Sequence, residues 1–501
     1  MFAKVASVAV VGLDARRVDV EVDITGGLPD FHVVGLPSTA VKESRRRVRA
    51  AVVNSGRPWP QRKITANLAP SDLRKDGAGF DLPLAIGVMA SFGEVPLGPL
   101  SKYLLAGELA LDGSLRPIRG ALAAAMFARD RGFSGLLVPM DNHLEAGLVK
   151  GVDVIGVRNL AEAASFLQGD LEAPAVAVKA ADLLGVEGTN GPDLSEVRGQ
   201  AAAVRGLEIA AAGGHNVLMV GPPGCGKTMM AQCLPSIMPP LTESEALEAT
   251  RVWSVAGLLD ATLPMVVHRP FRAPHHHASA AAIIGGGSPV PLPGEISLAH
   301  RGVLFLDELP FFSRLVLEAL RQPLEEGTIR VVRSGWSVSF PASVSLVAAA
   351  NPCLCGRAGS LVDPCRCPPG RLESYRSRLS GPLLDRMDLW VEVPRLSEEE
   401  LFEVQRSEPS LDIRQRVVAA RRFREQRLAA ESAGGTELRR LRHPVRSFLR
   451  RTRALESSSA RSLDRLLKVA RSIADLAACP DIEEAHVAEA LQYRRKVWGL
   501  P

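Results

Sequence analysis

Residues 221–228 read Gly221-Pro222-Pro223-Gly224-Cys225-Gly226-Lys227-Thr228. Glycines at the first and sixth places, followed by Lys and Thr, suit a loop that turns sharply from a strand into a helix. The run before it, Val217-Leu218-Met219-Val220, is wholly apolar and reads as a buried strand. Met229 to Leu234 continue as a helix. A loop of this kind aims a row of backbone N–H groups at an anion. In that reading residues 221–226 cradle phosphates, Lys227 reaches the β- and γ-phosphates, and the Thr228 hydroxyl ligates Mg²⁺.

A second stretch completes the first. Val303-Leu304-Phe305-Leu306 is another apolar strand, and it ends in Asp307-Glu308. Asp307 can hold the same Mg²⁺, and Glu308 can orient or deprotonate a water. Ser343 to Ala350 reads as a third buried strand ending in Asn351, placed to bond the attacking water or a γ-phosphate. Together these residues imply a nucleoside triphosphatase that uses Mg²⁺. Lys227 and Asp307 stand 80 positions apart. That exceeds a minimal nucleotide fold and leaves room for an insertion, which includes His275-His276-His277 and Gly285-Gly286-Gly287. Residues 327–340 alternate Ile or Val with Arg around Ser334-Gly335, the pattern of a hairpin.

The chain has 501 residues, enough for about three domains. Hydrophobic content of 46% supports full cores, and the net charge of +5 allows a nucleic-acid partner without demanding one. No apolar run is long enough to span a bilayer, and the first residues lack a secretory pattern, so a cytoplasmic protein is expected. Residues 1–168 mix alternating strands with helices, including a basic helical stretch from Val41 to Asn54. Residues 169–192 read as a linker, 193–395 as the nucleotide core, and 396–501 as a helical domain.

Seven cysteines, four of them clustered, suit a reducing compartment better than a disulfide framework. Cys353-Leu-Cys355 and Cys365-Arg-Cys367 are separated by nine residues. Four such thiolates can close a tetrahedral Zn²⁺ site. Unmetallated thiols or a redox pair remain the alternatives.

On these motifs residues 193–500 resemble the magnesium-chelatase-like branch of AAA+ ATPases, and the whole chain resembles the YifB/ComM family. Val197-Arg198-Gly199-Gln200, Pro293 to His300, Asn351-Pro352-Cys353 and Leu379 to Asp388 carry the likeness. The implied fold is α/β: a AAA+ P-loop parallel sheet with a helical lid, preceded by a ribosomal-S5/Lon-like βα domain. The resemblance also implies that the nucleotide is ATP and that the chain forms a homo-hexamer, with Arg386 as an arginine finger in the neighbouring site and Arg461 as a second sensor. By composition Arg386 could instead pair with Asp385 or Asp388. In the N-terminal block, Asn67 to Leu73, Lys75 to Ala85 and Gly107 to Gly113 resemble the Lon protease domain. No serine lies between Lys75 and Leu84, so a non-proteolytic module is expected.

Basic elements suggest the partner. Seven arginines and no acid lie between Arg439 and Arg453, and Arg330 and Arg333 sit on the hairpin. In a ring the hairpin would face the pore, where these arginines and His275–His277 could track the backbone of single-stranded or branched DNA. Trp336 is the best base-stacking candidate. Two classes follow: a DNA motor driving branch migration in recombination or natural transformation, or a protein-remodelling ATPase such as a magnesium-chelatase subunit.

Overall fold

The computed structural model describes residues 2–184, 191–287, 290–333, 336–358, 364–379, 381–396, 407–430, 441–452 and 460–494. Its N-terminal part is built on a strand pair of unusual length. β1 (Phe2–Val11) and β2 (Asp14–Thr25) run antiparallel, with Phe2 opposite Asp23 and Val11 opposite Asp14. From Val18 to Ile24 buried and half-buried residues alternate along β2, as a strand with one fully covered face requires. β3 (Asp30–Val34), β4 (Lys63–Ala69), β5 (Tyr103–Leu105), the short pair β6 (Glu108–Leu109) and β7 (Leu115–Arg116), β8 (Gly135–Pro139) and β9 (Asp153–Val157) follow. The main sheet has the order β3-β4-β2-β1-β5-β8-β9. Helix Asp81–Phe92 packs on one face and helix Ala121–Asp130 on the other. The former is buried along almost its whole length, and its one carboxylate, Asp81, is met by Arg47 at 2.8 Å. Arg47, expected on a basic helix face, is therefore committed internally. Lys75 is fully buried, and its ammonium bonds the Pro70 carbonyl.

Residues 170–179 do not run free. The Val176 amide bonds the Val154 carbonyl at 3.0 Å, and Val178 bonds Gly147 at 2.9 Å.

The nucleotide part begins at β10 (Val217–Val220). β11 (Phe271–Arg272), β12 (Gly285–Gly286), β13 (Leu292–Pro293), β14 (Val303–Leu306), β15 (Thr328–Arg333), β16 (Trp336–Pro341), β17 (Ser345–Ala350) and β18 (Leu389–Glu392) follow. A five-stranded sheet has the order β11-β14-β17-β10-β18, and every pairing in it is parallel. Its faces are covered by different partners. Val217 and Met219 face helices Ala201–Gly213 and Lys227–Ile237 and the C-terminal helices, while Leu218 and Val220 face the insertion and hairpin. Burial on both sides explains why these strands read as unbroken apolar runs. β15 and β16 form the hairpin, with Arg330 opposite Ser339.

The C-terminal helices Ser410–Ala430, His443–Arg451, Ala460–Leu476 and Glu484–Gln492 close over helix Ala201–Gly213. Arg205 bridges to Glu489 at 2.8 Å, and Arg416 to Glu208 at 2.6 Å.

The N-terminal sheet docks on helix Glu243–Ala256. Glu145, buried, accepts from the Leu122 amide at 2.9 Å and pairs with the Ser254 hydroxyl across the junction. Arg251 reaches the Leu13 carbonyl and Asp14, each at 3.2 Å. Gly12 turns at φ 64°, where a Cβ would stand 2.3 Å from Val338 on the hairpin. Only glycine fits that approach.

Candidate nucleotide-binding site

Four strand ends supply the site. β10 delivers the loop, whose Gly221 lies so close to β18 that a Cβ would meet the Val393 carbonyl at 2.3 Å. Gly224 (φ 79°) and Gly226 (φ 90°) adopt the left-handed conformation, and nothing lies within 4 Å of where their Cβ atoms would be. The loop is thus a concave backbone surface at the N-terminus of helix Lys227–Ile237, suited to an anion. Lys227 is buried; its Nζ donates to the Gly221 carbonyl at 2.7 Å, the Pro222 carbonyl at 2.8 Å and Asn351 Oδ1 at 3.2 Å. The Thr228 hydroxyl donates to Asp307 Oδ2 at 2.9 Å. A hydroxyl and a carboxylate in contact beside a phosphate cradle are a fitting oxygen pair for Mg²⁺. The strand ends therefore bring together Lys227, Thr228, Asp307 and Asn351.

Glu308 follows at φ 52°, an uncommon conformation for a residue with a side chain. Its Oε2 lies 3.2 Å from His276 Nδ1. The imidazole lies 4.2 Å from the His275 ring, tilted by 30°, and 5.9 Å from the Phe311 ring. The three histidines, grouped with the hairpin on sequence grounds, are instead tied to Glu308 through His276. Phe311 in turn meets Tyr375 edge-on at 6.1 Å, and the Tyr375 hydroxyl donates to the Asn351 carbonyl at 3.0 Å. Burial raises the Tyr375 pKa above the ordinary phenol range, so it stays a donor.

A cavity of about 340 Å³ opens beside the loop. Val197, Arg198 and Gln200 line one side, Cys225 and Met229 another, and Arg395 the third. The Gln200 side chain donates to the Pro394 carbonyl at 2.9 Å, which ties the two segments together.

Arg386 is buried and forms an ion pair with Glu325, on helix Arg321–Glu326. Its expected neighbour Asp388 turns elsewhere and accepts from the Asn216 amide at 2.9 Å. Burial pushes the Asp388 carboxyl up, but His215 and the Asn216 amide outweigh it and hold it below the usual range. Arg461 is exposed on the first turn of helix Ala460–Leu476. Among the described residues no hydrogen bond or ion pair joins Arg461 to the loop. On the hairpin, Arg330 is exposed and donates to Ser337 Oγ at 2.8 Å; the turn residues 334–335 lie outside the described residues. In the lid cluster, Arg442 pairs with Asp481, and Arg451 with Glu484 at 3.7 Å. Arg439, Arg440 and Arg453 lie outside the described residues. Cys353, Cys355, Cys365 and Cys367 converge, with sulfur atoms within 4.8 Å of one another.

A five-stranded parallel sheet with a phosphate loop, an Asp-Glu pair and an Asn at adjoining strand ends defines a AAA+ nucleotide fold. Comparison with known sequences gives the branch. The family model described as "Magnesium chelatase, subunit ChlI" matches residues 193–401. "Subunit ChlI of Mg-chelatase" matches 20–142, and the subunit's C-terminal model matches 407–494. An uncharacterized protein of Mycobacterium tuberculosis is 45% identical over 502 residues, covering 98% of each chain. Uncharacterized protein YifB of Escherichia coli is 43% identical over 494 residues, covering 97% of this chain and 96% of its own. Competence protein ComM of Haemophilus influenzae is 41% identical over 502 residues, covering 99% and 98%. The chain belongs to the YifB/ComM family of magnesium-chelatase-like AAA+ proteins. No helix among the described residues is long and apolar enough to cross a membrane.

Proposed function

We propose that this protein is an ATP-hydrolysing motor that moves on DNA, working as a homo-hexamer in branch migration during recombination or natural transformation. The observation that carries the ATPase reading is the contact set Lys227–Asn351, Thr228–Asp307 and Glu308–His276 around one backbone cradle. Lys227 gives up the loop carbonyls to bind phosphate oxygens, and Asn351 steers it. Thr228 and Asp307 hold Mg²⁺, which when bound neutralises charge on the phosphates. Glu308 takes the proton of the attacking water, and Asn351 aligns that water against the γ-phosphate. Arg386, released from Glu325, reaches a neighbour's γ-phosphate as the arginine finger. Arg461 serves as the second sensor from the lid.

The DNA reading rests on the exposed hairpin and on the likeness to a competence protein. Arg330 lies between buried Ile329 and Val331, so its side chain points away from the core, and Arg333 is exposed at the strand's end. Arg330→Ala/Arg333→Ala should weaken DNA binding and reduce the salt slope by about one for each phosphate no longer neutralised. Basal ATPase should survive. Normal DNA binding in that variant, with loss in a variant of Arg442, Arg446 and Arg450, would move the DNA to the lid and overturn the hairpin assignment.

A further inference from the structure

The four clustered cysteines do more than converge. Cys353 Sγ lies 3.3 Å from Cys355 Sγ and 3.5 Å from Cys365 Sγ, and Cys355 lies 3.6 Å from Cys365. Four sulfurs at about 2.3 Å from one tetrahedral Zn²⁺ stand about 3.8 Å apart. The observed spacings lie close to that figure and are far too long for a disulfide, about 2.05 Å. A polynuclear iron–sulfur cluster shares its thiolates among several irons and so spreads them further apart. Backbone amides also face the sulfurs: Ala358 N lies 3.3 Å from Cys353 Sγ, and Cys367 N lies 3.4 Å from Cys365 Sγ. Such donors stabilise thiolate charge around a metal.

The cluster abuts the nucleotide loop. Gly356, between the two cysteine pairs, sits at φ 76°, and a Cβ there would stand 2.3 Å from Pro223 Cδ. Both chain segments leaving the cluster lead to Asn351. Cys353 follows it by two residues, and helix Pro369–Ser377, beginning two residues after Cys367, returns Tyr375 to its carbonyl. Asn351 in turn holds Lys227.

We infer that Cys353, Cys355, Cys365 and Cys367 bind one Zn²⁺ ion, and that this knuckle braces Pro223 and Asn351 so that nucleotide affinity depends on the metal. The inference rests on the nucleotide reading of the loop. With the ion bound, the two cysteine segments are one rigid unit against Pro223. Without it, that link between the two segments is lost, and the Asn351 side chain is held less firmly over Lys227.

The test uses the full-length protein. Zinc is measured by plasma mass spectrometry, and binding of a fluorescent ATP analogue is measured with Mg²⁺ in excess. One zinc per protomer is expected. A zinc-selective chelator should weaken nucleotide binding about ten-fold, and added Zn²⁺ should restore it. Cys355→Ser/Cys367→Ser should lose both zinc and affinity. Gly356→Ala should keep the zinc yet bind nucleotide several-fold more weakly, which separates the brace from the metal. Protein that takes up no zinc would overturn the site. Zinc-loaded protein whose affinity is unmoved by chelation and by Gly356→Ala would overturn the brace. Reversible chelation of the unaltered chain decides the matter even if the cysteine variant misfolds. Failure of the zinc-loaded wild type to bind nucleotide at all would instead overturn the nucleotide reading, and the brace with it.

Discussion

Lys227→Ala separates the ligand role of this lysine from any role in folding. The ammonium is held by three oxygens of the site itself, at 2.7, 2.8 and 3.2 Å. A phosphate oxygen in their place, about 4 Å from the charge, is attracted by about 4 kcal/mol at an effective dielectric near 20. That corresponds to about three powers of ten in Kd. The fold loses less. Three hydrogen bonds, each worth about 1 kcal/mol net, disappear, but so does the cost of burying an ammonium. The variant should therefore melt within a few degrees of wild type while losing ATP affinity by about a thousand-fold. Titration calorimetry with ATP, beside a circular-dichroism melt, reads both quantities. ATP binding within about ten-fold of wild type, in a variant that melts normally, would refute the placement of Lys227 at the phosphates.

Three further outcomes follow from other contacts. His276→Ala removes one restraint on Glu308; turnover should fall about ten-fold with little change in ATP Kd, whereas lost ATP binding would place His276 in the ligand pocket. Arg386→Ala should hydrolyse little alone, and mixing it with Lys227→Ala protomers should restore some activity; no rescue in rings shown to exchange subunits would confine Arg386 to its own subunit. Glu145 has its pKa raised, first by burial. It therefore contributes stability below its unfolded pKa that is lost as pH rises through the folded value. Glu145→Gln should gain in Tm over wild type with rising pH, and a pH-independent difference between the two would refute the shift.

The nucleotide loop was legible because its chemistry demands contiguous residues, and the strands flanking it because burial on both faces leaves them uniformly apolar. The hairpin was legible for a related reason: Ile329 and Val331 face inward on either side of the outward Arg330. The partners were not. Glu325 for Arg386, Glu308 for His276 and Ser254 for Glu145 come from distant positions, and no periodic pattern marks them. Arg47 looked like one of a row of free cations until helix Asp81–Phe92 placed Asp81 beside it. The cysteines announced a site, but only the fold shows Gly356 against Pro223.

The most direct test of the account is steady-state ATP hydrolysis by the purified full-length chain, alone and with single-stranded, duplex and four-way-junction DNA, beside Glu308→Gln. Mg²⁺-dependent hydrolysis is expected, stimulated by DNA, single-stranded or branched DNA most, and Glu308→Gln should bind ATP and turn over at least about a hundred-fold more slowly. Hydrolysis that no DNA alters would contradict the motor, and unchanged hydrolysis in Glu308→Gln would contradict the site itself.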